Sequence, residues 1–240
     1  LASRWLQQQF ATDATLARSG AQVLGEPAAG YLSHPGYDAL PKAPYRYQEM
    51  LGVIWRENPS CYLEDGEQAV LMAALMETDN AGRPLIDAWI KRSGLSADAW
   101  LEKLFEATVI PFYHLLCRYG VALIAHGQNV TLVMKDYVPQ RILLKDFQGD
   151  MRLVDEDFPQ AQSLPEQVKA VTARLSADYI IHDLQTGNFV TVLRFISRLT
   201  LQCGVSKTRF YQILAGVLRG YMAAHPDLAE RFAKFDLFKP

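Results

Sequence analysis

The chain of 240 residues has few cysteines, and none of them falls into a known cysteine pattern. Cys61, Cys117 and Cys203 are odd in number, far apart and without a CxxC pair. Neither a disulfide framework nor a zinc or iron–sulfur site is therefore indicated. The five histidines also lack HExxH or a similar ligand spacing. A reducing cytoplasm is the simplest compartment for such a sequence.

Long hydrophobic runs and an excess of positive charge are also lacking. The most apolar span, 107–125, is interrupted by Pro111, His114 and Arg118, which predicts a buried helix and strand rather than a membrane span. The formal net charge is −2, whereas nucleic-acid binding usually needs a basic surface. We expect a cytoplasmic protein with neither membrane nor nucleic acid as a partner. Because the chain begins with Leu1 rather than Met, we also expect a fragment.

The sequence does contain one stretch, 121–150, that concentrates polar functional groups between short apolar runs. The polar cluster from His126 to Asn129 precedes the apolar run 130–134, and a second cluster from Lys145 to Gly149 follows the run 142–144. Such runs, separated by turn residues, predict a β-hairpin, and 121–125 reads as a further strand. Both polar clusters are then expected at the same end of the hairpin.

These clusters have the chemistry of a nucleotide and magnesium site. Magnesium prefers hard oxygen ligands such as the amide of Asn129 and the carboxylate of Asp146. Gly127 lets the backbone approach a ligand, and His126 could position or protonate a reacting oxygen. The alternative is a tight turn in which Gln128 and Asn129 satisfy loop backbone groups and Asp146 caps a turn.

The remaining pattern predicts an α+β fold, a mostly helical bundle packed on a small antiparallel sheet or hairpin. We expect 1–240 to form a single unit, with a mixed α/β entry segment at 1–80 and a mainly helical part at 81–240 around the hairpin of 121–150. An antiparallel pair of strands is predicted from 51–55 and 70–76. The predicted helices are 3–19 ended by Gly20, 84–92 ended by Gly94, one capped by Ser96 and kinked at Pro111, one from Pro165 towards His182, 188–203, and one capped by Ser206.

A few other polar residues have two interpretations each. Arg46 and Arg56 could bind a carboxylate or phosphate through a bidentate fork, although single arginines are more often surface residues. Glu26 could point into a site, but an exposed loop carboxylate is the simpler interpretation. His114 and His182, in apolar helical surroundings, are predicted to be structural histidines with satisfied hydrogen bonds.

A family resemblance rests on IAHGQN at 124–129 and LLKDFQGD at 143–150. With the surrounding stretches GEPAAGYLSH, APYRYQEMLGVIWRENP, PFYHLLCRYGVAL and SADYIIHDLQTGNFVTVLRFIS, these motifs resemble the C-terminal half of the siderophore synthetases that act without a non-ribosomal peptide synthetase. The resemblance covers essentially the whole chain. It implies the palm-like part of an enzyme shaped as a cupped hand of thumb, fingers and palm, whose N-terminal half is missing here.

The resemblance implies an ATP-dependent carboxylate–amine ligase with ATP and Mg²⁺ as cofactors. Such an enzyme activates a citrate-derived carboxylate as an acyl-adenylate, releases pyrophosphate, and forms an amide with a hydroxylysine-type amine, here N6-acetyl-N6-hydroxylysine. Since the family's triphosphate-binding Ser/Thr, Lys and Arg residues lie in the N-terminal half, we expect the isolated chain to bind ATP weakly and to be inactive.

Carried over by position, the family's His-x-Gln-Asn motif falls on His126, Gln128 and Asn129, and its downstream acidic residue on Asp146. His126 would act catalytically near the carboxylate and α-phosphate, and the two amides would bind ATP and its metal. Asp146 would bind ATP and metal, with Lys145 as a catalytic basic neighbour. We expect Arg56 and His126 to contact substrate. The family often has Glu two positions before the histidine, where this chain has Ile124.

Two alternatives remain beside the ligase. A kinase-like phosphotransferase also uses an Asn loop followed by a strand that ends in Asp, but this chain has Gln128 in place of the usual catalytic Asp and no phosphate-binding glycine loop. A non-catalytic siderophore-related binding or dimerisation domain is the other alternative. Apolar helices near the C-terminus are compatible with a homodimer.

Overall fold

The computed structural model of the chain describes residues 1–39, 52–147 and 149–239. It confirms the predicted α+β class, with helices packed on small sheets. The α-helices span Ala2–Thr12 (α1), Ala14–Ser19 (α2), Pro35–Asp38 (α3), Leu85–Ser93 (α4), Ala97–Thr108 (α5), Ile110–Tyr119 (α6), Glu166–Val171 (α7), Ala177–Leu184 (α8), Arg194–Leu199 (α9), Lys207–Ala224 (α10) and Ala229–Lys234 (α11). A π-helix spans Gln185–Leu193. Short 3₁₀ helices span Pro59–Tyr62, Met72–Met76, Pro159–Ala161, Thr200–Cys203 and Pro226–Leu228.

The strands form three small sheets in the described part of the chain. They span Gln22–Val23 (β1), Ala28–Tyr31 (β2), Gly52–Trp55 (β3), Glu67–Leu71 (β4), Val121–Leu123 (β5), Val130–Lys135 (β6), Val138–Leu144 (β7), Met151–Val154 (β8) and Ala173–Leu175 (β9). A four-stranded sheet has the order β1-β7-β6-β4, with β1 parallel to β7 and the other pairs antiparallel. An antiparallel pair joins β2 and β3. In the third sheet, β8 pairs with β5 antiparallel and with β9 parallel.

The central hairpin is confirmed as β6 and β7. Its two-residue turn consists of Asp136 and Tyr137, with φ of 50° and 64°. Positive φ at both central residues is typical of the type I′ turn, whose twist matches that of the flanking strands. The opposite end of the hairpin is closed by Val130 and Leu144, which are register partners.

Other predicted strand pairings are wrong. The run at 121–125 forms β5, which pairs with β8 instead of the hairpin. Within the run predicted at 51–55, residues 52–55 form β3, which pairs with β2, whereas the next strand, β4, pairs with β6. Residues 72–76, predicted as strand, form a 3₁₀ helix. A short apolar run indicates that a segment is buried or paired in a sheet, but it does not indicate which strand is its partner.

Most predicted helix boundaries are confirmed. Gly20, Gly94, Gly120 and Gly204 take left-handed conformations at helix ends. The Ser96 and Ser206 side chains cap α5 and α10. The break near Pro111 falls between α5 and α6. The predicted helix 3–19 is divided at Asp13, whose side chain caps α2.

The region after Gly149 is less helical than predicted. It contains β8 and β9, and β9 interrupts the predicted helix from Pro165 towards His182. The predicted helix 188–203 is three consecutive segments of π, α and 3₁₀ geometry. One apolar cluster runs from Trp5 to Phe235 and packs the helices against the first and third sheets, including one face of the hairpin. A separate small cluster of Leu24, Val133 and Leu143 lies on the other face of the hairpin.

Candidate functional site

The two polar clusters lie together at one end of the hairpin, as predicted. Because Val130 faces Leu144, the residues just before β6 and just after β7 are neighbours. The Lys145 backbone N–H donates to the Asn129 carbonyl oxygen at 3.3 Å. A small cavity between the clusters is lined by Asn129, Lys145, Asp146 and Asp150. The hairpin therefore gathers the predicted site residues around a common space.

Asn129 is the most buried polar residue of this site, with 4% of its surface exposed. Its Nδ2 donates to Asp150 Oδ2 at 2.5 Å and lies 3.3 Å from His126 Nε2. Its Oδ1 is buried and has no hydrogen-bond partner among the described residues. A buried amide oxygen without a hydrogen bond lowers the stability of the folded protein. The same oxygen is available as a ligand for a hard cation.

Asp150 is a site residue that the sequence analysis did not single out. Its Oδ2 binds Asn129 and lies 3.6 Å from His126 Nε2, which is close enough for electrostatic attraction but long for a hydrogen bond. The signal that could have identified it is its position at the end of the second polar cluster. It supplies a carboxylate beside the histidine in a chain that has Ile124 where the resemblance expects Glu.

Asp146 lies in a second group of charges with Glu26 and Arg56. Arg56 Nη2 donates to Asp146 Oδ1 at 2.8 Å and to Glu26 Oε1 at 2.9 Å, and Arg56 Nε donates to Glu26 Oε1 at 3.1 Å. The Asp146 backbone N–H donates to the same Glu26 oxygen at 3.1 Å. Lys145 Nζ lies 3.7 Å from Asp146 Oδ2. Glu26 and Arg56 are thus bonded to Asp146 rather than being isolated surface charges.

The backbone of Asp146 is itself unusual, with a φ of 66°. A non-glycine residue in this region is uncommon and is often found at functional sites. The bonds from Asp146 to Glu26 and Arg56 stabilise that conformation. The two groups together contain three carboxylates and two fixed cations: Glu26, Asp146 and Asp150, with Arg56 and Lys145. The resulting excess of negative charge is suited to a divalent cation.

The loop that carries His126 is held from two sides. On one side the Gly127 carbonyl oxygen accepts from the Ala73 N–H at 3.0 Å, and a Cβ on Gly127 would lie 3.1 Å from the Ala73 backbone. On the other side the π-helix brings Gly187 against Ile124, and Asn188 Nδ2 donates to the Ala125 carbonyl oxygen at 3.2 Å. Glycine at both contacts allows this close approach.

Four further residues were singled out in the sequence. Gln128 is exposed on the loop. Arg46 lies outside the described residues. His114 is confirmed as a structural histidine, since it is buried between Tyr221 Oη at 2.7 Å and Asp13 Oδ2 at 3.1 Å. His182 is exposed instead, because it faces outward from α8. Its Nδ1 lies 3.0 Å from Gln185 Oε1.

The cysteines remain separate, with Cys61 exposed, Cys117 buried and Cys203 half-buried. Burial raises the pKa of the Cys203 thiol to about 11, where it is protonated at neutral pH. Within 1–39, 52–147 and 149–239, no group of three or more His, Cys, Asp and Glu side chains is arranged to hold a metal ion by itself. None of the helices in these ranges is long and apolar enough to cross a membrane.

Two family models match the chain. Residues 1–77 match the IucA/IucC family, and residues 98–240 match a family described as ferric iron reductase FhuF-like transporter. Among curated proteins, the chain is 68% identical over its whole length to aerobactin synthase of Escherichia coli. It covers 41% of that protein.

Two solved structures share the fold. The structure of aerobactin synthetase IucC from a hypervirulent pathotype of Klebsiella pneumoniae matches with a TM-score of 0.92 and 66% identity, over 100% of this chain and 42% of that chain. The ATP-bound aerobactin synthetase IucA from the same pathotype matches with a TM-score of 0.71 over 90% of this chain and 40% of that one. At 18% identity, the second match shows a common fold alone. The chain spans about two fifths of the length of these relatives.

Proposed function

Because the chain belongs to the IucA/IucC family of siderophore synthetases, with its residues 98–240 in the FhuF-like family, we propose that it is the nucleotide-binding part of an ATP-dependent ligase. The full-length protein adenylates a citrate-derived carboxylate, releases pyrophosphate and forms an amide with N6-acetyl-N6-hydroxylysine in the cytoplasm. The relatives named aerobactin synthase and aerobactin synthetase support this choice of reaction.

The observation that carries the proposal is the unpartnered Oδ1 of buried Asn129 beside the carboxylates of Asp146 and Asp150. This donor set fits Mg²⁺, which prefers amide and carboxylate oxygens. Asn129 and Asp146 are the proposed ligands. A bound Mg²⁺ offsets the charge that develops on the phosphates during adenylation.

The other residues orient the reactants and balance charge. Asp150 holds the Asn129 amide so that its Oδ1 remains available. His126 lies beside both residues and donates to the α-phosphate oxygens when the carboxylate attacks, as preorganised donors do in other acyl transfers. Exposed Gln128 contacts the nucleotide, and Lys145 contributes positive charge near the phosphates. Arg56 binds Glu26 through Nε and Asp146 through Nη2. We therefore expect its Nη1 atom to contact the substrate.

An iron-handling role, which the description of the 98–240 family suggests, is less well supported. A protein that holds iron by cysteine needs thiolates close together. The three cysteines are far apart in sequence and differ in exposure, and burial raises the pKa of the Cys117 thiol. The oxygen-rich site at the hairpin end suits a hard cation instead.

An ATP/pyrophosphate exchange assay on the full-length protein that contains this chain tests the proposal. With citrate or its hydroxylysine conjugate, we expect exchange that depends on Mg²⁺ and on the carboxylate. Asp146→Ala should reduce exchange by at least about 100-fold, the scale of losing one electrostatic stabiliser of the transition state. The matched control is Asp65→Ala, because Asp65 is exposed near the turn that precedes β4.

The nucleotide product separates the ligase from the phosphotransferase. Adenylation yields AMP and pyrophosphate, whereas phosphotransfer yields ADP. Formation of ADP in proportion to a phosphorylated product would replace our proposal by the phosphotransferase. The isolated 240-residue chain is expected to show no exchange, and pyrophosphate release from it on addition of substrate would contradict that expectation.

A further inference from the structure

Asp183 is a half-buried carboxylate that the proposed adenylation does not use. It belongs to α8, which packs against β5 and β8, the strands that lead into and out of the two polar clusters. Its Oδ2 atom is buried and has no hydrogen-bond partner among the described residues. A carboxylate oxygen removed from water without a partner costs free energy, so a ligand that completes its bonds would bind favourably.

The charges near Asp183 come from two elements. Asp150, directly before β8, and Arg152, in β8, contribute charge near it, and His182 precedes it on α8. The net effect of its surroundings is to raise the pKa of Asp183. Burial is the largest cause and Asp150 adds to it, whereas the charges of Arg152 and His182 act in the opposite direction. Arg152 does not form an ion pair with Asp183 among the described residues, since its Nη1 donates to the Gly149 and Met151 carbonyl oxygens.

The π-helix fixes α8 relative to the His126 loop. One turn after Asp183, Gly187 contacts Ile124 and Ala125, and Asn188 binds the Ala125 carbonyl oxygen. Asp150, whose charge acts on Asp183, also contacts His126 and Asn129. The helical segment that carries Asp183 is therefore packed directly against the residues that precede His126.

The charge of each reactant decides which one Asp183 can bind. The triphosphate and the citrate-derived carboxylate are anions, which an unpaired carboxylate repels. The amine substrate is a zwitterion, and its α-ammonium is the one cationic group that the organic reactants bring to the site. We propose that Asp183 binds the primary ammonium group of the amine substrate and takes one of its protons before the amide forms. This inference rests on the proposed function and adds to it the residue that serves the second half-reaction.

The step balances in protons and electrons. One ammonium proton moves to Asp183, and the lone pair that it leaves on nitrogen attacks the carbonyl carbon of the acyl-adenylate. The C–N bond forms, the C–O bond to the α-phosphate breaks, and AMP leaves with that electron pair. The second proton of the former amine is released to water as the amide forms. A carboxylate whose pKa lies above its ordinary value is a better proton acceptor at neutral pH.

Separate assays of the two half-reactions on the full-length protein test this inference. Asp183→Asn keeps the shape of the side chain and removes its charge. We expect ATP/pyrophosphate exchange within about twofold of wild type, and amide formation with N6-acetyl-N6-hydroxylysine reduced by roughly 100-fold or more, the contribution typical of a general base. Asp178→Asn, an exposed change on the same helix, should leave both rates unchanged.

Hydroxylamine provides an internal control, because it is largely unprotonated at neutral pH and needs no proton acceptor before attack. The Asp183→Asn variant should therefore form the hydroxamate from hydroxylamine at the wild-type rate. Asp183→Glu should restore part of the rate with the natural amine. Raising the pH should also recover part of the rate of Asp183→Asn, since more of the amine is then neutral.

Three results would overturn the inference. Amide formation at the wild-type rate in Asp183→Asn would show that the carboxylate is not needed. Equal loss of exchange, hydroxamate and amide formation would indicate a structural role. Absence of exchange in the wild-type protein would instead remove the proposed function, and the inference with it.

Discussion

Gly187→Ala tests whether the π-helix controls the position of the His126 loop. A Cβ at this position would lie 3.1 Å from Ile124 Cγ2, 3.2 Å from the Ala125 nitrogen and 3.3 Å from Ile124 Cα. Two of these three atoms belong to the backbone, so the loop itself has to move. To reach ordinary contact at about 3.6 Å, it must shift by about 0.4 Å.

That displacement predicts a measurable loss of rate. On a scale of about 100-fold per ångström of misplacement, a shift of about 0.4 Å lowers the adenylation rate by roughly sixfold. Overpacking should also lower the free energy of unfolding by about 1–3 kcal/mol. Both can be measured on the full-length protein, by ATP/pyrophosphate exchange at saturating substrate and by urea unfolding.

The matched control is Gly216→Ala on α10. A Cβ there would have no heavy atom within 4 Å, and replacement of a helical glycine by alanine is expected to stabilise by about 0.5–1 kcal/mol. Exchange by this variant should equal wild type. If Gly187→Ala loses stability but keeps the full exchange rate, the contact between the π-helix and the loop does not position the catalytic residues, and our reasoning about it is wrong.

Two further predictions concern the charged groups. Burial by itself would raise the pKa of Asp13, but hydrogen bonds from His114 and from the Leu16 and Thr15 amides lower it well below its ordinary value of 3.8. The stabilisation from the charge of Asp13 is therefore present above about pH 4 and is lost as the pH falls below that value. Asp13→Asn keeps the helix cap and should be less stable than wild type at pH 7 by about 1–2 kcal/mol. Urea unfolding at several pH values should show this difference in stability decreasing towards pH 3. A difference that stays constant over this range would contradict the assignment. Arg56→Lys retains the charge but loses the rigid guanidinium fork that binds Glu26 through Nε and Nη2 while reaching Asp146. We therefore expect exchange to fall by roughly tenfold, corresponding to about 1.4 kcal/mol. An unchanged rate would show that this arrangement is dispensable.

The sequence was sufficient to predict the hairpin and the meeting of its two polar clusters. A hairpin brings together residues that are close in sequence, so the local pattern from His126 to Asp146 contains the necessary information. Helix ends were predictable for the same reason, because Ser96 and Gly204 act on their own helices. The roles assigned to His126, Lys145 and Asp146 remain predictions.

The partners of Asp146 could not be predicted. Glu26 and Arg56 are separated from it by 120 and 90 residues, and each is an ordinary charged residue in its local sequence. Only the packing of the sheets brings the three side chains together. From its local sequence alone, each of the two is most simply interpreted as a surface charge, which is the general tendency. The family resemblance predicts a substrate contact for Arg56, but neither source predicts the bonds to Asp146.

The strand partners and the π-helix were missed for a different reason. Strands β5 and β8 are three and four residues long, too short for a periodic pattern to identify what they pair with. The segment 185–193 has the apolar spacing of an ordinary helix, and the hydrogen-bond shift that defines a π-helix leaves little trace in sequence. Its contacts with Ile124 and Ala125 are made with a distant part of the chain, which the local spacing does not reveal.

The π-helix also constrains how this protein can be redesigned. Its i→i+5 bonding adds residues to each turn relative to an α-helix, so the side chains after residue 193 are rotated relative to those before residue 185. Deleting one residue from this segment would favour a regular α-helix with better backbone geometry. The same deletion would turn either Asn188 or Ile196 away from its present partners. A protein redesigned in this segment by helix-propensity rules alone would gain local helix stability and lose the alignment between its core and the His126 loop.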